Sequence, residues 1–262
     1  GNILAVTGSV EAAFIEGMAA DDFSNEITAT GRMLSGALTR RGIKTVIVFT
    51  GGTYEEAMRQ IVTAAAIEGT NPLPALQLGQ IQGIGGTVTF QVSYKDSYTY
   101  LTKLSQCSNL GFRIRPDFKN KIFYFEVYEG KDHSKSQSEN KRVIFSEVYR
   151  NIDKATFTSN SQNYKTHAVV FGDGEGTART MIEATIDETA TGWDRRELMV
   201  DARDISRDDM TTAQYQQALI QRGNEKLAEY GIVECLEATT LPFVNFAYKT
   251  DYDLGDIVTV NK

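Results

Sequence analysis

Residues suited to acid, base or metal chemistry are scarce in this chain. It has two histidines, His133 and His167, the side chain whose ordinary pKa best serves general acid–base catalysis and which most often ligates metals. His133 falls in a polar stretch. His167 lies in a strand-like run and reads as a half-buried strand residue or one in a subunit contact. Neither cysteine, Cys107 in a helix-like segment or Cys235 in a strand-like one, has a histidine near it in sequence, and no serine occupies a Gly-x-Ser-x-Gly elbow. Nucleophilic hydrolysis therefore lacks an activated nucleophile. The cysteines read as small buried hydrophobes rather than a bridge, which fits synthesis in a reducing cytoplasm.

Two glycine clusters, Gly83-Ile84-Gly85-Gly86 and Gly172-Asp173-Gly174-Glu175-Gly176, are the places where backbone amides could cradle a phosphate. Neither ends in Gly-Lys-Ser/Thr or opens a helix after a strand, and Asp173 and Glu175 would repel the anion. Both clusters read as turns. As ligands for a hard cation, Asp173 and Glu175 lack the dense oxygen array of a calcium loop. Asp201, Asp204, Asp208 and Asp209 invite comparison with the paired carboxylates of glycoside cleavage, yet Arg203 and Arg207 alternate with them. That mixture predicts ion pairs and a turn leading into a helix cap, whereas a glycosidase needs two carboxylates across a cleft with separated pKa values. No catalytic, cofactor-binding or metal-binding residue is assigned, and no cofactor is expected.

The elements around these residues are legible in outline. The first forty residues predict short strands and turns, with a mildly amphipathic stretch through Leu34 and Leu38. A β-branched run at 45–49 leads to a helix capped by Thr53 with Glu56 three residues on. In it Tyr54, Ala57, Met58, Ile61, Val62 and Ala65 recur at helical spacing. A strand at 87–92 and a second helix over 97–109 follow, with Gly111 where the helix should end. A hairpin comes next, and in its second arm Phe123, Phe125 and Val127 share a face. Residues 130–141 carry no large apolar side chain and predict a linker. Beyond it strands are expected at 143–148, 155–159, 166–171, 180–186 and 198–201, then a helix capped by Thr211 and Gln214, then strands at 233–238, 243–248 and 256–260. Phe157 with Ser159, and His167 with Val169 and Phe171, show the alternation of half-buried strands. The domain expectation is a β-rich start at 1–44, a small α+β domain at 45–129, the linker, and a β-barrel or sandwich-like domain with one long helix at 142–262.

The formal charge of −7 argues against a surface built to grip nucleic acid, because such binding neutralises phosphates with clustered Lys and Arg. Charge is also uneven. Residues 113–150 hold nine basic and six acidic side chains, whereas 171–209 hold five basic and eleven acidic. Patches of opposite sign can meet across subunits, and they are equally ordinary solvated faces. No run approaches the ~18 apolar residues of a membrane span, the first residues lack the pattern of a secretion signal, and no repeat or low-complexity tract is present.

Several segments carry a family resemblance. They are Val127-Tyr128-Glu129-Gly130-Lys131-Asp132-His133-Ser134, then Gln137, Asn140 and Val143-Ile144-Phe145-Ser146, and then the run from Tyr164 to Gly172. Gly192-Trp193-Asp194-Arg195-Arg196-Glu197-Leu198-Met199-Val200-Asp201-Ala202-Arg203-Asp204-Ile205 and the run from Tyr252 to Val260 complete them, with Glu26 to Gly42 earlier in the chain. In this order they resemble the siphovirus tail-hub family of phages and prophages of Gram-positive hosts, over most of the chain. Lys131-Asp132-His133 and Tyr164-Lys165-Thr166-His167 depart from the family pattern. The resemblance implies further chain beyond both ends, which leaves trimer formation by these residues alone an open question. It implies an α+β fold in which a small α/β domain accompanies β-barrel-like domains, as in phage baseplate hub proteins. It further implies a non-enzymatic virion tail protein, made in the host cytoplasm, that forms a homotrimer at the distal end of the tail tube. Its partners would be a tube-adaptor protein, a spike or tail fibre, and the tape measure. DNA would pass without specific binding, with an acidic 171–209 facing the lumen. Two alternatives stand beside this: a tail-associated cell-wall hydrolase, and a carbohydrate-binding receptor module. The module would need Tyr98, Tyr100, Phe118, Tyr124 and Tyr128 exposed, although strand and helix spacing assigns most of them to packing.

Overall fold

A computed structural model describes residues 3–6, 11–21, 25–241 and 245–261. The chain divides into two compact units, Gly1–Tyr128 with Ile205–Ala218, and Glu129–Asp204 with Leu219–Lys262. Each unit is therefore completed by a segment distant in sequence.

The first unit opens with an antiparallel sheet of β1 (Ile3–Val6), β2 (Ala12–Asp21) and β3 (Glu26–Met33), followed by a 3-10 turn at Leu34–Arg40. Strand β4 (Ile47–Thr53) runs into α1 (Tyr54–Val62). The Thr53 hydroxyl accepts from the Glu56 amide at 3.2 Å and the Glu56 carboxylate accepts from the Thr53 amide at 2.8 Å, so two otherwise orphaned donors are satisfied reciprocally. Ala57, Met58, Ile61 and Val62 all lie on the buried face. The helix then widens into a π turn at Thr63–Ile67.

After β5 (Leu76–Leu78), β6 (Thr87–Val92) pairs antiparallel with β4. Helix α2 (Ser97–Ser108) is capped by Asp96, whose carboxylate accepts from the Thr99 amide at 2.7 Å. It ends at Asn109, which takes the left-handed conformation at φ 58°. The sequence pointed to Gly111 for this role; Gly111 lies instead in β7 (Leu110–Asp117), where the Tyr128 ring occupies the space a Cβ would need. Strand β8 (Ile122–Glu129) completes the hairpin with β7, and β5 adds parallel to it. The expected face of Phe123, Phe125 and Val127 packs into one cluster with Leu38, Met58, Ile61, Phe90, Leu101 and Leu104. Each such side chain stabilises the fold by about 1.5–3 kcal/mol.

In the second unit a polar loop leads to β9 (Ile144–Ser146) and β10 (Ile152–Asn160). A mixed sheet has β11 (His167–Phe171) at its centre, antiparallel to β12 (Met181–Thr185) and parallel to β13 (Glu197–Asp201). Its central position explains the burial of Ala168, Val169 and Val170 in succession. The long helix α3 (Thr212–Ala228) begins after Thr211, whose hydroxyl accepts from the Gln214 amide at 3.3 Å. At Gly223 a Cβ would meet Ala184 on β12 at 2.6 Å and Val170 on β11 at 3.0 Å, so the glycine admits a close helix–sheet approach. Strand β14 (Val233–Thr240) pairs antiparallel with β10 as a two-stranded ribbon.

The expected strand at 256–260 is shorter and later. Strand β15 (Thr259–Asn261) pairs parallel with β9, and Ile257 makes an isolated bridge to Asp132. Residues 242–244, within or next to the expected strand at 243–248, lie outside the described residues, and 245–248 contribute only a bridge between Tyr248 and Tyr252. Phe145 meets Phe246 and Tyr252 edge to face at 5.9 and 5.7 Å, around a small core of Val143, Phe145 and Ile152. No described helix is long and apolar enough to cross a membrane.

Candidate assembly surfaces

The residues that could have done chemistry are occupied by structural tasks. His133 is buried. Its Nδ1 lies 2.7 Å from the Lys141 carbonyl and its Nε2 3.4 Å from the Asp256 carboxylate. Its amide donates to the Ile257 carbonyl and its carbonyl accepts from the Val143 amide, both at 2.8 Å. Asp256 in turn accepts from the Lys131 and Asp253 amides at 2.7 Å each. This arrangement staples the polar loop to the segment around Asp256. His167 is buried at the start of β11, with Nδ1 2.9 Å from the Thr166 hydroxyl. Cys107 is partly buried, but Cys235 is exposed. The expectation of two buried sulfurs fails at Cys235 because β14, exposed along its length, has no covering layer among the described residues.

The glycine clusters are turns. Gly83 and Gly85 take φ of 70° and 85°, Gly174 and Gly176 of 108° and 54°. The amides of Gln82 and Ile84 point at the fully buried Glu55 carboxylate, at 3.0–3.1 Å. An acceptor belonging to the protein thus fills the position that a phosphate would need. Among the described residues no group of three or more His, Cys, Asp or Glu side chains could hold a metal.

The aspartate-rich turn is a set of ion pairs. Arg203 contacts Asp201 at 2.7 Å and Arg179 contacts it as well, and their hydrogen bonds hold the Asp201 carboxyl far below the usual carboxylate range. Arg222 grips Asp204 through two bonds of 2.9 and 3.1 Å. The Ser206 hydroxyl donates to Asp208 at 2.8 Å, and the Arg207 guanidinium lies 4.7 Å over the Tyr215 ring. A carboxyl held that low is no proton donor, so Asp201 is unsuited to the acid role of a glycosidase.

What the structure leaves unsatisfied is apolar surface. The register of β2 with β3 has Glu16 as an extra residue between Ile15 and Gly17. Beyond this bulge, Met18 and Ala20 fall on the same face as Ile27, Ala29, Gly31 and Met33 of β3. Met18 and Ile27 are 66% and 69% exposed. The other face carries Phe14, which packs on the core, and Arg32. Arg32 reaches Glu16 at 2.7 and 2.8 Å and Arg40 reaches it at 3.0 Å. Bonds first from Arg32 and then from Arg40 lower the Glu16 carboxyl to about 2.

A second bare surface is the β10–β14 ribbon, where Phe157 stands opposite Leu236 and Ala155 opposite Ala238. Phe157 is 61% exposed, against the half-buried alternation expected for it. Both outer edges of this ribbon are unpaired among the described strands. A third feature is Trp193, on a short 3-10 turn at Gly192–Asp194, fully open to solvent at 101%. Sequence reasoning marked its segment without finding its exposure.

The solved structures similar to the chain include three tail proteins. A 43 kDa tail protein of prophage MuSo2 from Shewanella oneidensis matches 98% of this chain and 72% of its own at 10% identity, with a TM-score of 0.51. A tail protein from Neisseria meningitidis MC58 matches 80% and 58% at 14% identity, TM-score 0.39. Prophage tail protein gp18 from Listeria monocytogenes EGD-e matches 74% and 55% at 15% identity, TM-score 0.41. The chain thus spans little more than half the length of the last two. The Shewanella likeness supports a shared α+β fold. No curated protein matches the sequence. The family model of Siphovirus ReqiPepy6 Gp37-like proteins matches residues 1–262, the whole sequence given, and the chain belongs to that family of siphovirus tail proteins.

Proposed function

We propose that this chain is a structural subunit of the hub at the distal end of the tail tube, where three copies form a ring that joins the tube to adhesion or wall-penetrating parts. The observation that carries the reading is the pair of unfinished surfaces, the outer face of β2–β3 and the β10–β14 ribbon. A two-stranded ribbon is marginal alone in water, free strand edges invite pairing with another chain, and contiguous exposed apolar surface marks an interface. A ring of three repeats one heterologous contact, so two different patches per subunit suit it.

In this reading residues 1–44 and 142–262 supply the barrel-like parts, 45–129 the small α+β domain and 130–141 the linker. The partners are a tube-adaptor protein, a spike or fibre, and the tape measure. The role is non-catalytic. The acidic stretch 171–209 faces the lumen, where like charge lets DNA pass without adhering.

Light scattering of the chain, joined to images of assembled tails, tests the reading. A ring of three at the tail tip supports it, and a label found along the tube or at the head end refutes it. An outward-facing 171–209 removes the lumen assignment alone, and carboxylate-dependent clearing of cell-wall material removes the non-catalytic one.

A further inference from the structure

Trp193 is the chain's single tryptophan and is fully exposed. Its turn is well anchored. The Asp194 amide donates to the Thr191 carbonyl at 3.0 Å, and Arg195 is tied to Glu183 at 2.8 Å and to Glu197 at 2.7 Å on the adjoining strands. The indole is therefore presented on a fixed support. An aromatic ring of this kind can bury about 150–250 Å² in an interface, and tryptophan is enriched among the residues that dominate binding energy.

The first unit contains a matching hole. A cavity of about 280 Å³ lies among Phe14, Leu34, Leu73, Ile114 and Phe123, with Arg40 the one charged residue among the described residues of its lining. A dry apolar cavity of roughly 150 Å³ holds a benzene ring, so this one has room for the two fused rings of an indole. The Arg40 guanidinium already lies 4.7 Å over the Phe14 ring, and cations pair best with tryptophan among aromatic faces.

We propose that Trp193 of one copy seats in this cavity of a second copy. Charge favours the pairing. Asp194 makes no ion pair among the described residues, and the cavity carries the cationic Arg40 in its lining. In the wider sequence, 171–209 around the tryptophan holds eleven acidic and five basic residues. Because the indole is fully exposed in its own chain, the seat belongs to another molecule. Knob and hole are different patches, so the contact is heterologous and can close into a ring. The inference rests on the ring reading above and adds a contact to its interface.

The lone tryptophan supplies the readout. Emission and light-scattering mass of the chain are followed together as concentration rises. The expected result is a blue shift of the emission that tracks the rise in mass. Trp193→Ala should associate about 30-fold or more weakly with an unchanged circular dichroism spectrum. Leu73→Phe, which fills the cavity, should weaken association while its tryptophan keeps the emission of an exposed indole. If Trp193→Ala forms rings as well as the wild type does, or if rings form with the indole still exposed, the knob-and-hole contact is wrong and the ring reading survives. A wild type that stays monomeric with exposed-indole emission at its highest soluble concentration removes the knob-and-hole contact, while the ring reading stands or falls on the images of assembled tails.

Discussion

Replacing Gly223 with alanine sets two forces against each other. In an isolated helix the change would favour α3 by about 1 kcal/mol, the usual difference between the two residues. In the protein the new methyl would stand 2.6 Å from the Ala184 Cβ and 3.0 Å from a Val170 methyl, where carbon atoms prefer about 3.5–4.0 Å. Ala184 is 3% exposed and Val170 wholly buried. The Ala184 Cβ is fixed to the backbone of β12 and has no rotamer to escape into, so helix or sheet must move. Overpacking of this kind costs about 1–3 kcal/mol. After the propensity gain, a net loss of about 0–2 kcal/mol remains, which lowers the Tm of the unit by up to about 8 °C. Thermal unfolding followed by circular dichroism and calorimetry reads this directly. Ala184→Gly added to the alanine variant should lose less than the sum of the two single changes, since it reopens the space. A higher Tm for Gly223→Ala, as propensity alone demands, would refute the seating of α3 against β11 and β12.

Thr53→Ala removes the hydroxyl that accepts from the Glu56 amide and should lower the denaturant midpoint by the equivalent of about 1 kcal/mol with an unchanged m value. Glu16→Gln tests the acid side. The native carboxyl titrates at about 2, below the ordinary 4.5, because Arg32 and then Arg40 bind its charged form. The advantage of the wild type is thus complete above pH 4.5 and disappears as pH falls through about 2; a Tm difference that stays constant across that window contradicts it. Phe157→Lys and Leu236→Lys, made singly on an exposed ribbon, should leave monomer stability within about 0.5 kcal/mol while weakening association in sedimentation.

Helix α1 was readable because its signals are local: a cap at Thr53, Glu56 three residues later, and apolar residues at helical spacing. The ion pair of Asp201 with Arg203 was equally readable from alternating charge. Arg179 and Arg222, which complete that network, come from a distant turn and from α3, and nothing near the aspartates announces them. The end of α2 was misplaced for a related reason. Asparagine tolerates the left-handed conformation, while Gly111 is needed for the Tyr128 ring of the neighbouring strand, a tertiary demand. The π turn at Thr63–Ile67 leaves no mark in a pattern read at 3.6 residues per turn. Phe157 reads as half-buried from strand alternation and Cys235 as a small buried hydrophobe, and both readings presume a covering layer; both side chains are exposed. The assembly surfaces share this origin: side-chain type is written in the sequence, but which face stays bare depends on what the fold leaves uncovered.

The pairing of β9 with β15 joins residues 144–146 to 259–261, and the His133 staple reaches the segment around Asp256. The first unit likewise waits for Ile205–Ala218. At about 5–20 residues per second, translation takes on the order of ten seconds to run from β9 to its partner. During that interval the loop before β9 has neither its staple nor its neighbouring strand, and the long closure slows the last step of folding. The polar loop and β9 thus complete their packing only once Asn261 has been made, later than the β2–β3 face and the β10–β14 ribbon.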